Sequence, residues 1–511
     1  MSTRELLQDR FRRSGRGGTL RGRRALQDYG ESMDAADGGL WLAEDVAALV
    51  GGSQSQLVVI DAVRILGQIE GLRRSFGRKL WHVHVTSTSE AELAQRYELR
   101  RAKADLDELT SYAALRENRT EAEAVPALAQ YADVVLDTHR NTPADVLMRC
   151  AARVGLLPDL GAQLVDVLVG GEYGSEGKGN IAFYLAPEYE VLVRVGGPNA
   201  GHQVPTDQPT THRSLPSGAL AHLQAQLVIG PGAVINPSVV LDEIASTSID
   251  PGRISIDPQA MLISEEDIAE EAELTRRIAS TGQGVGRAAA RRILARTGDR
   301  SVLAESDERL AHMIRPTRQV LDAAYSAGKR ILLEGTQGMG LSIFHGTYPH
   351  VTSRDTTAAG VLSEAGISPR RVRRTVVVFR TYPIRVGGPS GPMGGRELDW
   401  DEIASRSGLH RESIDERGSV SGNQRRVAEF DWTQLRTAAE INGATDIAVT
   451  FADYIDGRNK SAYRFDQLTP FTIQLLEELE RVSGAPVSLI STEFSRRAII
   501  DRRDWRGHVL T

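Results

Sequence analysis

Cysteine is nearly absent from this chain of 511 residues, since Cys150 is the only one. A single cysteine excludes a disulfide within the chain and a zinc site built from several cysteines. Long apolar runs are missing too, and none approaches the ~20 residues that a membrane-spanning helix needs. The N-terminus is polar and rich in arginine, without the apolar stretch of a secretory signal. We therefore predict a cytoplasmic protein without a membrane partner.

A strong excess of one charge is also lacking. The formal net charge is −6 and the pI about 6.1, so the overall charge gives no indication of nucleic-acid binding. The arginine-rich segment Arg4–Arg24 is compatible with a nucleic-acid arm, but we favour a solvated basic tail and predict no nucleic-acid partner. The length suits two domains, and a hydrophobic share of 41% is ample for packed cores.

Residues 1–160 show an α/β pattern of their own, and Gly155–Gln163 is the predicted linker to the rest of the chain. Runs rich in Val and Ile predict three strands, and two other stretches have helical character. The predicted strands are Leu57–Val63, Leu80–Ser87 and Ala132–Asp137, and the predicted helices are Ala91–Leu115 and Thr142–Val154.

Residues 161–511 alternate strands with helices, which predicts a mostly parallel sheet with helices on both faces and ligands at the carboxyl ends of its strands. The predicted strands are Leu164–Val169, Val191–Val195, Leu227–Gly230, Ile331–Glu334, Thr375–Tyr382, Asp446–Phe451 and Pro486–Ser491. The predicted helices are Asn180–Leu185, Glu265–Ile278, Asp307–Ala327, Trp432–Asn442 and Pro470–Val482.

A glycine-rich loop, Gly171-Glu-Tyr-Gly-Ser-Glu-Gly-Lys-Gly179, lies between the first of these strands and the first of these helices. Its glycines let the backbone turn tightly and direct N–H groups at an anion, and Lys178 adds a positive charge. The loop is not a standard Walker A motif, because its glycine spacing is one residue too long and Gly179 replaces the Mg²⁺-binding Ser or Thr. By itself it indicates a phosphate site or a glycine-rich turn equally well.

Four further motifs follow it in order: Arg194-Val-Gly-Gly-Pro-Asn-Ala-Gly-His202, Ser280-Thr-Gly-Gln-Gly-Val-Gly286, Leu333-Glu-Gly-Thr-Gln-Gly338 and His345-Gly-Thr-Tyr-Pro-His-Val-Thr-Ser353. Together the five segments resemble the signatures of adenylosuccinate synthetases, over about residues 164–500. That family uses a nucleoside triphosphate to couple L-aspartate to the 6-oxo position of a purine nucleotide. The resemblance implies a P-loop-related α/β fold, Mg²⁺, a C–N ligase activity and a homodimer.

The resemblance also implies roles for single residues. Lys178 and the amides of Gly174–Gly179 would hold the transferring phosphate, and Mg²⁺ would bridge triphosphate oxygens with the Gly201 carbonyl as a ligand. His202 matches the catalytic histidine, a role that suits imidazole because its pKa lies near working pH. The alternative for His202 is a structural histidine in a loop.

Further positions match nucleotide contacts of the family, and Gln337 also counts as catalytic. The implied substrate contacts are Asn199, Ser280, Thr281, Gln337, Thr352, Val386, Ser421, Asn423 and Arg425. The implied triphosphate contacts are Gly174, Glu176, Gly177, Lys178, Gly179, Phe451, Asp453 and Ser491. Arg296 is a candidate for the arginine that reaches the partner's nucleotide phosphate. Ala295 competes for the alignment, and a solvated helix arginine explains Arg296 nearly as well.

The loop departs from the family at Ser175, where the family has an aspartate that is both the general base and a metal ligand. Ser175 takes these catalytic and metal positions, but a hydroxyl cannot act as a carboxylate base. It is smaller and neutral, which leaves room near the purine 2-position. We interpret this change as favouring guanine, with its 2-amino group, over hypoxanthine.

A second departure lies in the aspartate loop, which reads Ser419-Val-Ser-Gly-Asn-Gln-Arg-Arg426. The family's first arginine there, which reaches the ribose 2′-hydroxyl, is replaced by Asn423. Arg425 and Arg426 remain to bind aspartate carboxylates, as guanidinium groups do well. Loss of the 2′-hydroxyl contact predicts a deoxyribonucleotide. Ser175 and Asn423 together resemble a viral-type branch that makes N6-succino-2-amino-2′-deoxyadenylate from dGMP, ATP and L-aspartate.

A third departure concerns the triphosphate. The family reads the guanine of GTP with a Lys-x-Asp segment, which here is Phe451-Ala-Asp453. A Ser-Thr-Gly turn of the family reads Ser491-Thr-Glu493 in this chain. Both changes weaken the case for GTP, so we predict ATP or dATP.

Three alternatives remain. The chain is also compatible with an ordinary adenylosuccinate synthetase using IMP and GTP, or with a non-catalytic nucleotide-binding regulatory paralogue. Residues 1–160 contain Arg24-Ala-Leu-Gln-Asp-Tyr-Gly30, Ile60-Asp-Ala-Val-Arg64 and Ala132-Asp-Val-Val-Leu-Asp137. With these segments they resemble the C-terminal half of nucleoside monophosphate and dephospho-coenzyme A kinases, but G-x-x-x-x-G-K-[ST] does not occur there. A nucleotide kinase is therefore disfavoured, and we predict a degenerate kinase-like domain at 1–160 beside a catalytic domain at 161–511.

Overall fold

The computed structural model describes residues 2–14, 20, 22–55, 57–102, 109–157, 159–296, 298–414, 416–417 and 424–503. The chain divides into two compact units, residues 1–157 and 158–511. This division falls inside the predicted linker. The kinase-like origin of the first unit stays a prediction.

The first unit combines helices with a small parallel sheet of two strands. Its helices are α1 Thr3–Arg13, α2 Arg23–Asp37, α3 Leu40–Gly51, α4 Leu66–Phe76, α5 Glu90–Arg101, α6 Tyr112–Arg116, α7 Val125–Ala127 and α8 Pro143–Arg153. Its strands are β1 Val83–Thr86 and β2 Val134–Asp137. A core around Trp41, Leu42 and Leu72 joins the first four helices. Two predicted strands and the helix after Thr142 are thereby confirmed.

Two predictions for this unit are wrong. Leu57–Val63 forms no strand among its described residues, where Asp61 makes only an isolated bridge to Ser2. Leu57 and Val59 are exposed, whereas Ile60 and Val63 pack, partly buried, against the core of the helices. The run thus packs on helices and not in a sheet, and β-branched composition alone does not make a strand. Ala91–Leu115 is not one helix, because α5 ends at Arg101 and α6 begins after Ser111, whose side chain caps it.

The second unit is built on a nine-stranded sheet in the order β18-β17-β16-β12-β3-β11-β4-β7-β9. All its pairs are parallel except β17 with β18, which confirms the predicted mostly parallel α/β sheet. The strands of this unit are β3 Val165–Gly170, β4 Val191–Arg194, β5 His202–Val204, β6 Thr210–His212, β7 Gln226–Ile229, β8 Val234–Ile235, β9 Ile254–Ile256, β10 Met261–Leu262, β11 Ile331–Glu334, β12 Val372–Arg380, β13 Ile384–Arg385, β14 Glu397–Leu398, β15 Arg426–Ala428, β16 Asp446–Thr450, β17 Val487–Ser491 and β18 Ile499–Asp501.

Helices cover both faces of this sheet. The helices of this unit are α9 Lys178–Leu185, α10 Pro237–Thr247, α11 Glu265–Glu270, α12 Ala272–Ile278, α13 Val285–Leu294, α14 Thr317–Ser326, α15 Ala358–Ala365, α16 Trp400–Ser407, α17 Trp432–Asn442 and α18 Pro470–Ser483. Successive side chains of β3 point to opposite faces: Val165 and Val167 join the cluster under α17 and α18, whereas Leu168 joins the cluster under α9 and α10. The central strand is therefore buried on both sides.

Helix predictions in this unit succeed where no residue interrupts the pattern. Trp432–Asn442 is confirmed residue for residue. Glu265–Ile278 is wrong as a single helix, because the chain breaks at Glu271, whose carboxylate turns to other backbone amides. Asp307–Ala327 is also two elements, since the 3₁₀ turn Glu308–Met313 ends before Ile314 and α14 begins at Thr317, directly after Pro316.

Within the described segments, none of the helices has both the length and the apolar character of a bilayer span.

Candidate active site

The segments that follow six strands of the central sheet lie together at one edge of the sheet. The glycine-rich loop follows β3, the loop after β4 leads to His202 at the start of β5, and the loop after β11 carries Gln337. The loops after β12, β16 and β17 carry Tyr382, Phe451 and Thr492. The carboxyl ends of parallel strands form the usual ligand edge of such a sheet, so the predicted residues gather there because of strand order.

The glycine-rich loop is organised by its own carboxylate. Glu176 is fully buried, and its Oε1 accepts hydrogen bonds from the backbone N–H of Glu172 at 3.1 Å and of Gly174 at 2.8 Å. Its Oε2 pairs with the buried Lys178 Nζ. Glu176 was predicted to contact the triphosphate, but a carboxylate repels phosphate oxygens. Its geometry indicates that it holds the loop and the lysine in place.

The first turn of α9 begins directly at Lys178, after Gly177 in a left-handed conformation with φ of 79°. Amides at a helix N-terminus have no acceptor within the helix, and the helix dipole adds positive potential there. A Cβ at Gly179 would come within 2.5 Å of the Gln203 carbonyl oxygen, so only glycine lets the hairpin that carries His202 approach the helix. The turn can hold an anion beside His202.

Ser175 lies at the exposed tip of this loop, with a positive φ of 58°. Its carbonyl oxygen accepts a hydrogen bond from Arg380 Nη1 at 3.1 Å. This hydrogen bond holds the backbone of the tip, while the Ser175 side chain remains accessible to a ligand.

A second carboxyl near the loop was not singled out from the sequence. Glu172 is buried, and its Oε2 accepts the backbone N–H of Arg380 at 3.0 Å. Burial, reinforced by the nearby Glu176, raises its pKa well above the ordinary range. Glu172 is therefore a buried carboxyl of the glycine-rich loop whose environment favours the protonated form.

His202 is held by Glu334, the last residue of β11. Its Nδ1 lies 2.5 Å from Glu334 Oε1, and both side chains are buried. Ser217 donates to Glu334 from its hydroxyl and, at 2.8 Å, from its backbone N–H. Arg194 Nη1 lies 3.7 Å from the same carboxylate. Glu334 and Arg194 stand inside recognised motifs, but Ser217 carries no signal in the sequence.

Burial and the nearby Arg194 lower the pKa of His202 to about 4, against the opposing effect of Glu334. Burial alone would raise the pKa of Glu334, but Arg194 and the hydrogen bonds from His202 and Ser217 outweigh it and lower the pKa to about 2. At neutral pH the pair is a neutral imidazole beside a carboxylate. Nδ1–H then donates to Glu334, which leaves Nε2 for a ligand.

The strand that carries His202 is braced by a second histidine–glutamate pair. His202 lies opposite His212 in the β5–β6 hairpin, and His212 Nδ1 is 2.7 Å from Glu243 Oε1. Glu243 also accepts the backbone N–H groups of residues 213–215 at 3.1, 2.9 and 3.2 Å. These bonds fix the backbone on which His202 depends.

Gln337 and Thr352 are brought together as neighbours. Gln337 Nε2 donates to Thr352 Oγ1 at 2.7 Å, while Gln337 Oε1 is buried without a partner in the described part of the chain. A positive φ of 65° at Gln337 turns the side chain out of the strand end. The free oxygen suits a donor on a ligand.

The motif with Asn199 contacts the motif with Ser280 and Thr281 through Arg213. Arg213 donates to the Pro198 carbonyl oxygen at 3.1 Å and to the Gln283 side chain. Asn199 Oδ1 is buried and unpartnered among the described residues, and Ser280 and Thr281 are half-buried. The structure therefore places these three predicted residues in one region.

Arg296 follows α13 and is exposed, with its Nε donating to the Ile293 carbonyl oxygen at 2.7 Å. Its role toward a partner subunit stays a prediction.

The aspartate loop is described only in part. Ser421 and Asn423 lie outside the described residues, and Val386 is half-buried. Burial, with a contribution from Arg380, lowers the pKa of Arg425. Arg426 pairs with Glu397, so its guanidinium is already engaged.

Arg380 is a buried residue that the motif comparison missed. Its guanidinium lies 3.9 Å from the centre of the Phe451 ring, and its Nη2 is 3.3 Å from Glu416 Oε1. With the Ser175 carbonyl also bound, Arg380 connects the glycine-rich loop to the end of β16.

A cavity of about 190 Å³ adjoins the first turn of α9. It is lined by Gly177, Asn180, Ser413, Thr450, Phe451, Asp453, Tyr454, Lys460, Ser491, Glu493 and Phe494. Four predicted triphosphate residues, Gly177, Phe451, Asp453 and Ser491, thus line one space. Asn180 Nδ2 donates to Ser491 Oγ at 3.0 Å, which ties α9 to the end of β17.

The predicted metal ligands offer two neutral oxygens, the Ser175 hydroxyl and the Gly201 carbonyl. Within the described residues, no group of three or more His, Cys, Asp or Glu side chains is arranged to hold a metal. Mg²⁺ prefers oxygen ligands and commonly relies on substrate phosphates and water for most of its coordination. The donors present fit that mode of binding.

A family model for adenylosuccinate synthetase matches residues 167–303 and 299–466. The adenylosuccinate synthetase of Pyrococcus horikoshii is 37% identical over 348 residues, which span 66% of this chain and 98% of the relative. That of Archaeoglobus fulgidus is 35% identical over 344 residues, again 66% and 98% of the two chains.

Two solved structures share the fold of the second unit. The succinoaminodeoxyadenylate synthetase of cyanophage S-2L, bound to dGMP and to dATP as an energy donor, is 27% identical with a TM-score of 0.56. It covers 68% of this chain and 98% of its own. The fully ligated adenylosuccinate synthetase of Plasmodium falciparum is 22% identical with a TM-score of 0.59, covering 66% and 100%. With the matched motifs and the His202 and Gln337 geometry, these similarities show that the chain belongs to the adenylosuccinate synthetase family of carbon–nitrogen ligases.

Proposed function

We propose that this ligase joins L-aspartate to the 6-position of dGMP, driven by ATP or dATP through a 6-phosphoryl intermediate. The product is N6-succino-2-amino-2′-deoxyadenylate. The observation that carries the proposal is Ser175 at the exposed tip of the glycine-rich loop, a neutral hydroxyl where the family has a carboxylate. The likeness to a phage enzyme solved with dGMP and dATP supports it.

In the first step, O6 of the purine attacks the γ-phosphorus, the bond to the β–γ bridging oxygen breaks, and the N1 proton passes to a carboxylate of the bound L-aspartate substrate, which Arg425 would hold. Such transfers depend on positioning and on neutralising charge. The first-turn amides of α9 and Lys178 supply positive potential next to His202. Mg²⁺, held through Ser175, Gly201 and the triphosphate, would neutralise phosphate charge when bound.

In the second step, the aspartate amine forms a bond to C6 and phosphate leaves with O6. His202 Nε2 is the atom that can donate to the departing oxygen, because Nδ1 is committed to Glu334. The phosphoryl group's negative charge favours the protonated imidazole, which offsets the effect of burial on its pKa. Arg425 would bind a carboxylate of the incoming aspartate.

Base and sugar choice follow from two positions. The Ser175 hydroxyl can donate or accept beside a 2-amino group, and it is smaller than the family's aspartate, which leaves room for that group. Asn423 replaces an arginine that contacts a 2′-hydroxyl in the family, so the preference for a deoxy sugar rests on the sequence.

The assembly and the remaining chain are further parts of the proposal. A homodimer would bring Arg296 to the partner's nucleotide phosphate. Residues 1–160 form a degenerate kinase-like domain without phosphoryl-transfer activity.

Phosphate release with Mg²⁺ and L-aspartate tests the proposal when dGMP, GMP or IMP is offered against ATP, dATP or GTP, with product masses determined. We expect turnover with dGMP, weaker turnover with GMP and none with IMP. Turnover with IMP and GTP alone would identify an ordinary adenylosuccinate synthetase instead. No turnover with any pair would favour a regulatory paralogue.

The matched variant Ser175→Asp separates base choice from general damage. It restores the family's carboxylate, so we expect the ratio of IMP to dGMP turnover to rise. An unchanged ratio would show that Ser175 does not set the base.

A further inference from the structure

Glu271 is a buried carboxylate that the proposed mechanism does not use. It lies between α11 and α12, where the sequence predicts an unbroken helix, and it is 5% exposed. Its Oε2 accepts the backbone N–H of Gly284 at 2.7 Å, and its Oε1 accepts that of Gly286 at 2.7 Å. Both amides belong to the start of α13, whose first N–H groups have no acceptor within the helix. Glu271 therefore serves as the anion of that helix terminus.

Two glycines of the motif Ser280–Gly286 allow this approach. Gly284 has a left-handed φ of 76°, and a Cβ there would come within 3.0 Å of the backbone of α11. A Cβ at Gly286 would lie 3.0 Å from Glu271 Oε1 and 3.2 Å from the Cβ of Ser353. Because glycine has no side chain, the carboxylate reaches both amides and the motif packs next to Ser353.

The backbone of Ser280 and Gly282 is held more loosely. Their N–H groups each donate at 3.4 Å, which is longer than the usual range of such bonds. Ser280 and its neighbour Thr281 are half-buried. Arg213 binds a side chain of the motif. Among the described contacts, Glu271 thus supplies the short bonds that anchor the backbone of the motif.

The carboxylate also decides what else can bind at this helix start. A helix N-terminus attracts phosphate groups, and here Glu271 already occupies it. A carboxylate repels phosphate oxygens, so a substrate phosphate near this motif meets the hydroxyls of Ser280 and Thr281 instead of the α13 amides. Hydroxyls bind phosphate through directional hydrogen bonds, so their contribution depends on where the backbone holds them.

We propose that Glu271 is a positioning residue for the purine monophosphate. It holds the motif so that Ser280 and Thr281 bind the 5′-phosphate, and it keeps that phosphate off the start of α13. The inference deepens the proposed function and rests on it only in taking Ser280 and Thr281 as phosphate contacts. It is independent of base choice, because dGMP, GMP and IMP all carry the 5′-phosphate.

Glu271→Gln tests this role with little change of shape. The amide can accept from one of the two N–H groups, but its NH₂ group is a donor and faces the other. The Kd of dGMP for the full chain, with GMP and IMP as further probes, should rise about tenfold in equilibrium binding. At saturating dGMP, kcat should stay within about twofold, because positioning of the monophosphate contributes to binding and not to the chemical step. An unchanged Kd, or a kcat that falls as far as the affinity, would overturn the proposal.

Asp267→Asn is the matched control. Asp267 is also 5% exposed, accepts the backbone N–H of Ser264 at 2.9 Å at the start of α11, and pairs with Arg291 of α13 at 2.8 Å. It therefore links α11 to α13 as Glu271 does, but through a side chain of α13. We expect Asp267→Asn to lower the thermal stability and to leave the Kd of dGMP unchanged. An equal loss of affinity in the two variants would show that the packing of α11 on α13 controls binding, which would overturn the positioning role.

A double-mutant cycle with Thr281→Ala separates this inference from the proposed function. In the wild-type background, Thr281→Ala should raise the Kd of dGMP about tenfold, through loss of a hydrogen bond to a charged phosphate. In the Glu271→Gln background, the same substitution should cost less than about threefold, because a misplaced hydroxyl contributes little. Independent effects of the two substitutions would overturn the positioning role. So would a Thr281→Ala variant with wild-type affinity, whereas turnover of dGMP with L-aspartate would still support the proposed function.

Discussion

His202 and Asp453 are both buried at the carboxyl edge of one sheet, and burial favours the neutral form of each. It lowers the pKa of His202 to about 4 and raises that of Asp453 to about 7. Their partners differ: His202 Nδ1 is bound to Glu334, whereas Asp453 Oδ1 is unpartnered among the described residues. The contrast separates two uses of a buried polar group, one positioned by the protein and one left for a ligand.

The largest effect should come from Lys178→Met, which removes the one side-chain charge of the helix turn beside His202. We expect kcat to fall about a thousandfold, as when a transition-state charge contact is lost. Steady-state phosphate release measures this, with Lys460→Met as the control at the cavity rim. If Lys178 served only to neutralise Glu176, Lys178→Met combined with Glu176→Gln would recover activity, and we expect no recovery.

Glu334→Gln tests His202, the buried group that the protein itself holds in position. The carboxylate's hydrogen bond and charge both raise the pKa of His202, so their loss lowers that pKa further. We expect kcat to fall about a hundredfold, within the range of acid–base contributions, and the limb that requires protonated His202 to move to lower pH.

A pH–rate profile measures the shift caused by Glu334→Gln. Glu243→Gln is the matched control, because it removes the same kind of partner from His212 and should leave the limb in place. A profile of Glu334→Gln that coincides with the wild type would contradict the positioning role.

Thr352→Val tests a weaker positioning contact, the hydrogen bond that holds Gln337. It removes the 2.7 Å hydrogen bond to Gln337, whose net worth of about 0.5–1.5 kcal/mol corresponds to a two- to tenfold loss of kcat/KM for the nucleotide. Thr347→Val, at an exposed position of the same loop, controls for the added methyl group. Equal effects of the two substitutions would argue against a role for the Gln337 contact.

The smallest effect should come from Glu493→Gln at the rim of the cavity. Its pair with Lys460 is 3.8 Å long and partly exposed, and such pairs contribute little. ATP affinity, measured by equilibrium binding, should change less than about twofold. A tenfold change in ATP affinity would mean that the charges at the rim contribute strongly to ATP binding in the cavity.

The fold was predictable where local patterning and burial agree. The six buried residues of β3 and the helix Trp432–Asn442 have uninterrupted patterns, and the structure follows them. The strand predicted at Leu57–Val63 failed because composition does not reveal whether a neighbouring strand exists. The helix predicted at Glu265–Ile278 failed because Glu271 satisfies the amides of Gly284 and Gly286, a contact outside any local window.

The site was predictable as a set of motifs but not as a network. The motifs identified His202 and Gln337 but not the side chains that they contact. Glu334, the partner of His202, stands 132 residues away in the chain. Ser217 and Arg380 were missed because single serines and arginines carry no signal of their own. The lack of a partner at Asp453 Oδ1 among the described residues is a property of packing that only the structure can display.

The strand order has a consequence for how the protein is made. Strand β3 and its loop are flanked by β11 and β12, and the chain runs through about 200 residues between the end of β3 and the start of β12. During synthesis on the ribosome, the glycine-rich loop therefore emerges long before either neighbour that fixes it. Contacts between such distant segments form slowly and leave apolar strand edges open in the meantime. The nascent chain is most prone to aggregate while translation proceeds from β3 to β12.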